Sequence, residues 1–350
     1  MSEATYSLLQ LGWKGFFNQQ LTLEDLEHSS PARVTQVFRN RLVLLGENGE
    51  SHLDLAQFSD LQEATVGDWL LIPNEPSQTP SKLDRFSQFQ RKAPGSNTQQ
   101  LIAANVDTAF IVSSCNHDFN LSRIERYLAL AKEAQVEVVL VLTKADLVNE
   151  EQLQSYKDQL HDLQTHLDIV TLNALNIEEV QKLNLWCKVG QTVVLLGSSG
   201  VGKTTLTNSL CLTQEATAAI RDDDSKGRHT TTSRSLYFTH SGGLLLDSPG
   251  MRELQLSDCE DGVRAVFDDI EILAQQCKFS DCEHHTEPGC AVVKALDSGE
   301  LDQRRLINYQ KMLKEQARNS LTLAQSHQQD REFGKLIKSS LKDKKSRLER

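Results

Sequence analysis

Val193-Val194-Leu195-Leu196-Gly197-Ser198-Ser199-Gly200-Val201-Gly202-Lys203-Thr204-Thr205 decides how this chain folds. The apolar run Val193–Leu196 reads as a buried strand, and Thr205–Leu210 can open a helix. Between them, Gly197, Gly202, Lys203 and Thr204 meet the Gly-x-x-x-x-Gly-Lys-[Ser/Thr] pattern of a phosphate-binding loop. Glycines let backbone N–H groups turn inward around phosphate oxygens, so Gly197, Ser198, Ser199, Gly200, Val201, Gly202, Lys203, Thr204 and Thr205 are the expected nucleotide-contacting residues. Lys203 neutralises the outer phosphates and is a candidate catalytic residue, Thr204 offers a hydroxyl to magnesium, and the helix N-terminus faces the anion.

Upstream, strands and helices alternate. Ala109–Val112 reads as a strand; Leu121, Ile124, Leu128 and Ala131 recur at helical spacing; Val136–Leu142 is a second buried strand. It ends in Thr143-Lys144-Ala145-Asp146, the [Asn/Thr]-Lys-x-Asp pattern that reads a base. The Asp146 carboxylate can accept two hydrogen bonds from guanine N1–H and the exocyclic amine, and the Lys144 stem can lie on the ring. Adenine has no donor at N1 and would leave that carboxylate unpaired, which argues against an ATPase or a metabolic kinase. A further helix (Glu150–His166) and strand (Ile169–Leu172) lead to Asn173-Ala174, expected to support the base through its backbone.

Downstream, Asp222–Thr232 is polar, with Thr230, Thr231 and Thr232 as candidates for a switch threonine on magnesium and the γ-phosphate; Thr231 is taken as that ligand. The apolar strand Gly243–Leu246 ends in Asp247-Ser248-Pro249-Gly250, an Asp-x-x-Gly pattern in which Asp247 holds magnesium through water and the Gly250 N–H meets the γ-phosphate. Met251 follows, where a water-orienting glutamine would be needed, so slow intrinsic turnover is expected and His229 becomes the candidate for ordering the water. The base-reading elements precede the phosphate loop in this chain, so the sheet is expected to be circularly permuted, with Asp247–Gly250 leading directly into the C-terminal segment.

That segment carries Cys277, Cys282, His284 and Cys290, three thiolates and one imidazole suited to a closed tetrahedral structural zinc site; His285 is a rival imidazole. Cys115, Cys187, Cys211 and Cys259 are scattered and read as small core residues. Helical patterns at Val263–Gln276 and Asp302–Ala317 flank the cluster.

Between Ala32 and Pro73, short apolar runs separated by turns read as a small antiparallel barrel, OB-like or SH3-like. Asn74–Gln100 is polar, carries Lys82, Arg85, Arg91 and Lys92, and reads as a linker able to touch a phosphate backbone. The formal charge of −11 excludes nucleic-acid binding by the whole surface, yet from Arg331 to Arg350 eight Lys/Arg face three acidic residues, leaving a tail of +5 on a body of −16. No secretion signal or membrane span is visible, so a cytoplasmic, monomeric chain with no membrane partner is expected. The resulting division is an N-terminal extension at 1–31, the barrel at 32–75, a basic linker at 76–100, the GTPase unit at 101–256, a zinc-binding helical unit at 257–320 and a basic tail at 321–350.

Together with Ile102-Ala103-Ala104-Asn105-Val106-Asp107, Gly200–Thr204, Gly227–Thr232, Cys282-Glu283-His284 and Glu287-Pro288-Gly289-Cys290, this motif order resembles the small-subunit-dependent GTPase A family (RsgA, also called YjeQ) over residues 32–320. The resemblance implies an α/β circularly permuted P-loop GTPase domain with an N-terminal OB-fold and a small C-terminal zinc domain. It also implies GTP/GDP with Mg²⁺, one structural Zn²⁺, stimulation by the small ribosomal subunit through its rRNA, and a role late in that subunit's maturation. Thr143 stands where many members carry Asn, Asn173 where many carry Ser, and Gln78–Gln100 is a long polar insert.

Overall fold

The computed structural model describes residues 5–75, 77–92, 99–163, 166–211, 234–247 and 259–319. The N-terminal segment, in which the sequence showed little, is folded into the body. Helices Gly15–Asn18 (α1) and Leu23–His28 (α2) are short. A reciprocal capping box starts the second: Thr22 Oγ1 accepts the Asp25 N–H at 3.1 Å while the Asp25 carboxylate accepts the Thr22 N–H at 2.9 Å. Leu11 and Phe17 are fully buried, and Trp13 meets Trp69 edge-on at 4.8 Å between centroids. Burying each of those two side chains contributes about 1.5–3 kcal/mol, enough to hold this segment against the strands that follow.

Those strands are Ser29–Val37 (β1), Arg41–Gly46 (β2), Gly49–Asp54 (β3), Trp69–Pro73 (β4) and Ser81–Lys82 (β5). They run antiparallel in the order β3-β2-β1-β4-β5 around Val34, Leu42, Leu44, Leu61 and Leu70, an OB-like arrangement in which no β3–β5 pairing is present among the described residues. The stretch expected as a linker is strand-rich. It supplies β5, Gln88–Lys92 (β6) and the first two residues of Gln99–Ala104 (β7), a hairpin packed through Phe89 and Ile102 whose second strand runs into the stretch expected to open the GTPase unit. Polar side chains hid this hairpin from pattern reading, because its ladder is made by the backbone and few of its positions need to be apolar.

The α/β unit follows: Thr108–Ser114 (β8), Leu121–Glu133 (α3), Glu137–Thr143 (β9), Glu150–His161 (α4), Asp168–Thr171 (β10), Ile177–Val180 (α5), Thr192–Leu196 (β11), Lys203–Leu210 (α6), Arg234–Phe238 (β12) and Leu244–Asp247 (β13). Strands β8 and β11 are buried along their whole length, as a parallel sheet covered on both faces requires. The order β10-β9-β8-β11-β13 is parallel throughout, and β12 joins antiparallel to β13. The sheet does not stop there. Strand β1 pairs with β12 (Gln36 opposite Ser235, Val37 opposite Arg234), so the N-terminal strands and the α/β unit form one continuous sheet rather than two separate ones.

The chain resumes with Glu260–Val266 (α7), Asp268–Ala274 (α8), Ala291–Ser298 (α9) and Gln303–Asn319 (α10). The single helical pattern expected over Val263–Gln276 is two helices that break at Phe267. This unit is fastened to α3. Gly262 lies so close to the Ala129 carbonyl that any Cβ would overlap it, and the Gly262 N–H donates to the Glu133 carboxylate at 2.8 Å. Glu125 of α3 is fully buried and accepts from Arg304 (2.9 and 3.2 Å), Arg305 (3.0 Å) and Asn308 (2.5 Å) of α10. Replacing Glu125 by Ala leaves buried Arg305 with one carboxylate partner fewer, and is expected to cost about 3–5 kcal/mol. The check is the midpoint of thermal unfolding, which should fall well below that of the wild-type chain.

Candidate nucleotide and metal sites

The phosphate loop connects β11 to α6, and three of its glycines have backbone geometry that ordinary residues avoid: Gly197 (φ 148°), Gly200 (φ 82°) and Gly202 (φ 97°). At Gly197 a side chain is also excluded by space, because a Cβ would run into the Val112 carbonyl of β8. The Lys203 amine donates to the Gly197 carbonyl at 2.5 Å and to the Ser198 carbonyl, so the lysine spans its own loop. Thr204 follows it in the first turn of α6, half-buried.

The strand end that carries the base-reading motif is tied to this loop twice. Thr143 is fully buried, and its hydroxyl donates to the Val201 carbonyl at 2.6 Å, beside Gly202. Lys144, in the left-handed conformation (φ 57°), donates its amine to the Gly200 carbonyl at 3.0 Å. Asp146 lies exposed in the next turn. Asn173 builds a tight turn by accepting the Leu175 N–H on its side chain at 2.9 Å, and its own N–H donates to Glu179 at 2.9 Å. Ala174 is buried, and its carbonyl accepts from the Ser209 hydroxyl of α6 at 3.3 Å. Ser209 was not singled out in the sequence; a lone helical serine carries no local signal. Half-buried Asp247 closes β13, the strand next to β11. His229, Thr231 and Gly250 lie outside the described residues, as does the basic tail.

The described groups among these gather at the C-terminal ends of the parallel strands, where β11 is flanked by β8 on one side and β13 on the other, and the chain direction of the connections changes. Thr204 and Asp247 supply two oxygen donors there, a set that fits a hard divalent cation such as magnesium.

The second cluster is in the C-terminal unit. The donor atoms of Cys277, Cys282, His284 and Cys290 all lie within 4.8 Å of one another. Cys277 Sγ is 3.8 Å from Cys290 Sγ, and His284 Nδ1 is 3.6 and 3.5 Å from those two sulfurs. A tetrahedral zinc with sulfur at 2.3 Å requires S···S edges of about 3.8 Å, so the donor set fits a structural metal. His284 (φ 60°) supplies the imidazole, while the exposed His285 gives only its N–H, to Glu287 at 2.8 Å. Glu287 holds this knuckle together by also accepting the N–H groups of Glu283 (2.9 Å) and Thr286 (3.0 Å). Its own amide and those of His285 and Glu283 hold its carboxyl down to about 2. The sequence pattern had flagged Glu287 without a role. The remaining cysteines are buried, and burial pushes the Cys187 and Cys211 thiols up to about 12, as expected of core residues rather than ligands.

A phosphate loop in the middle of a parallel sheet, a base-reading turn bonded to it but preceding it in the chain, and an Asp-x-x-Gly strand beside it define a circularly permuted P-loop GTPase. Comparison with known proteins agrees. The RsgA GTPase family matches residues 82–257. A relative from Vibrio parahaemolyticus, named small ribosomal subunit biogenesis GTPase RsgA 2, is 54% identical over 342 residues, covering 97% of this chain and 94% of its own. The crystal structure of YjeQ from Thermotoga maritima is similar with a TM-score of 0.59 at 25% identity, covering 82% of this chain and 98% of that one. YloQ, described as a circularly permuted GTPase, shares the fold with a TM-score of 0.57 at 21% identity over 82% and 95% of the two chains. The chain belongs to the RsgA GTPase family.

Proposed function

We propose that this GTPase is switched on by the small ribosomal subunit and serves that subunit's biogenesis, as the names of its relatives state for them. The observation that carries the nucleotide reading is the pair of bonds from Thr143 and Lys144 to the carbonyls of Val201 and Gly200, which sets the base-reading turn against the phosphate loop. In this reading Asp146 pairs with guanine, Asn173-Ala174 shapes the far wall of the base pocket, and Thr143 acts behind the surface by holding the loop. The amides of Gly197–Thr205 and the Lys203 amine bind and neutralise the phosphates. Thr204 and Asp247 would hold the magnesium that GTP brings, which supplies further charge neutralisation at the phosphates. His229 orders the attacking water and Thr231 senses the γ-phosphate. The Cys277, Cys282, His284 and Cys290 set would hold zinc as a structural staple with no position left for water.

Support for an rRNA partner comes from a polar cavity of about 680 Å³ lined by Arg39, Arg91, Gln62, Gln88 and Gln100, together with Glu63 and an Arg85 already paired to Asp68, at the seam of the OB-like strands and the β6–β7 hairpin. Cationic and amide side chains around one groove suit the phosphates and base edges of irregular RNA. In this reading the chain works as a cytoplasmic monomer; among the described residues no helix is long and apolar enough to cross a membrane.

The test is GTP turnover by the purified chain with salt-washed small subunits, with large subunits and ATP as controls. Small subunits alone should raise kcat by at least about tenfold, and added salt should abolish the effect as the phosphate contacts are screened. GTP-specific turnover that small subunits leave unchanged would remove the ribosomal role and keep the GTPase.

A further inference from the structure

The segment Asn105-Val106-Asp107 takes no part in the nucleotide or metal sites described above, yet it is densely bonded to the OB-like strands, the N-terminal segment and the α/β unit. Asn105 sits in the left-handed region (φ 56°). Its side chain accepts the Phe86 N–H at 3.1 Å and donates to the Gly67 carbonyl at 3.0 Å. Asp107 accepts the Thr192 N–H at 2.8 Å and pairs with the Lys14 amine.

Into this junction β1 sends Arg33, which is fully buried. Its guanidinium donates to four acceptors in four different parts of the chain: the Leu11 carbonyl (2.7 Å), the Asn105 carbonyl (2.9 Å), the Thr192 hydroxyl (2.9 Å) and the Gly67 carbonyl (3.3 Å). Among the described residues no carboxylate touches it, and burial lowers its pKa to about 10, with the charges of Asp107 and Asp68 working in the opposite direction. A buried cation without a direct counter-ion is costly, and an apolar side chain of the same size would avoid that cost. What the guanidinium supplies instead is fixed geometry, since its planar fork orients every group it bonds. Gly12 is matched to it: a Cβ there would collide with the guanidinium.

Thr192 is the point where this matters. It is the first residue of β11, a five-residue strand, buried along its length, that ends at the phosphate loop. Arg33 holds its side chain and Asp107 its main-chain N–H. We propose that Arg33 is a positioning residue for the phosphate loop. Through Thr192 it couples the place of β1 and the N-terminal segment to the place of Gly197–Thr204, so that a load on the OB-like strands reaches the nucleotide along β11. This rests on reading Gly197–Thr204 as the GTP site, and not on which partner supplies the load.

The test uses the full chain with Thr192→Val, which keeps the shape and removes the acceptor hydroxyl, and Thr192→Ser, which keeps the hydroxyl. Thr192→Val should lower kcat for GTP about tenfold with KM near wild type and only a modest fall in thermal midpoint, and Thr192→Ser should retain wild-type kcat and midpoint. Coupling is reciprocal. A non-hydrolysable GTP analogue should therefore slow amide exchange in residues 11–14 and 33–34 of the wild-type chain several-fold, but not in Thr192→Val. Wild-type kcat in Thr192→Val, equal nucleotide protection of the N-terminal amides in both proteins, or parallel loss of activity and thermal stability in both variants would each overturn the coupling. A failure of the nucleotide reading looks different: the analogue would then leave the exchange of residues 197–204 unchanged.

Discussion

Lys203→Ala is expected to lower kcat/KM for GTP about 10³-fold, the upper end of what removing one preorganised donor to a developing anion costs. The lysine is the only loop side chain that carries a full positive charge. It is already aimed inward, with its amine on the carbonyls of Gly197 and Ser198. When the substrate arrives the amine exchanges those carbonyls for phosphate oxygens, a small movement within a preformed loop. Alanine removes the charge and the amine's two bonds to the loop, while the positive-φ geometry at Gly197, Gly200 and Gly202 stays open to glycine without a side chain to hold it. The thermal midpoint should therefore stay near wild type while turnover collapses. The measurement is single-turnover GTP hydrolysis at saturating activator, and a variant that kept more than about a tenth of wild-type turnover would strip Lys203 of its role.

Metal removal should have an effect of comparable size on a different property. Purified chain is expected to carry one zinc, and a strong chelator, or Cys290→Ser, should release it. Metal binding in small structural sites is worth about 10–16 kcal/mol at neutral pH, more than the few backbone bonds around Glu287 can replace. Cys290 also accepts the Val293 N–H at 3.4 Å at the start of α9, and serine can keep that cap, so Cys290→Ser isolates the loss of the metal ligand. Residues 277–298 should become the preferred site of limited proteolysis. GTP affinity should remain, because α7 and α10 are held on α3 independently through Gly262 and Glu125. Elemental analysis and a proteolysis time course decide the matter: a stoichiometry near zero with an intact, protease-resistant C-terminal unit would refute the staple.

The two chemical sites were legible in the sequence for one reason: a phosphate, a base edge or a zinc ion dictates residue types within a short window. Gly197–Thr205, Thr143–Asp146 and Cys277–Cys290 each carry the pattern that one such ligand asks for, and the alternation of apolar runs around the first two fixes a parallel α/β sheet. The structure chose between His284 and His285, because the knuckle built by Glu287 turns one imidazole inward and leaves only the N–H of the other engaged. It also showed a bond that no local pattern announces, from the buried Thr143 hydroxyl to the Val201 carbonyl of the phosphate loop.

Other features could not be read locally. The β6–β7 hairpin has one mostly polar strand, with Phe89 the lone apolar residue of Gln88–Lys92, which leaves no apolar period to detect there. The N-terminal segment shows no long periodicity, yet Leu11 and Phe17 fill a space that only the assembled strands create. The joining of β1 to β12 links residues about two hundred positions apart, and Arg33 meets Thr192 across a separation of 159. Sequence determined what each local segment can bind, because ligand chemistry and helix or strand periodicity act over a few residues. Only the tertiary structure decided which segments share a sheet and a buried cation, because those contacts form between distant stretches whose pairing no local pattern encodes.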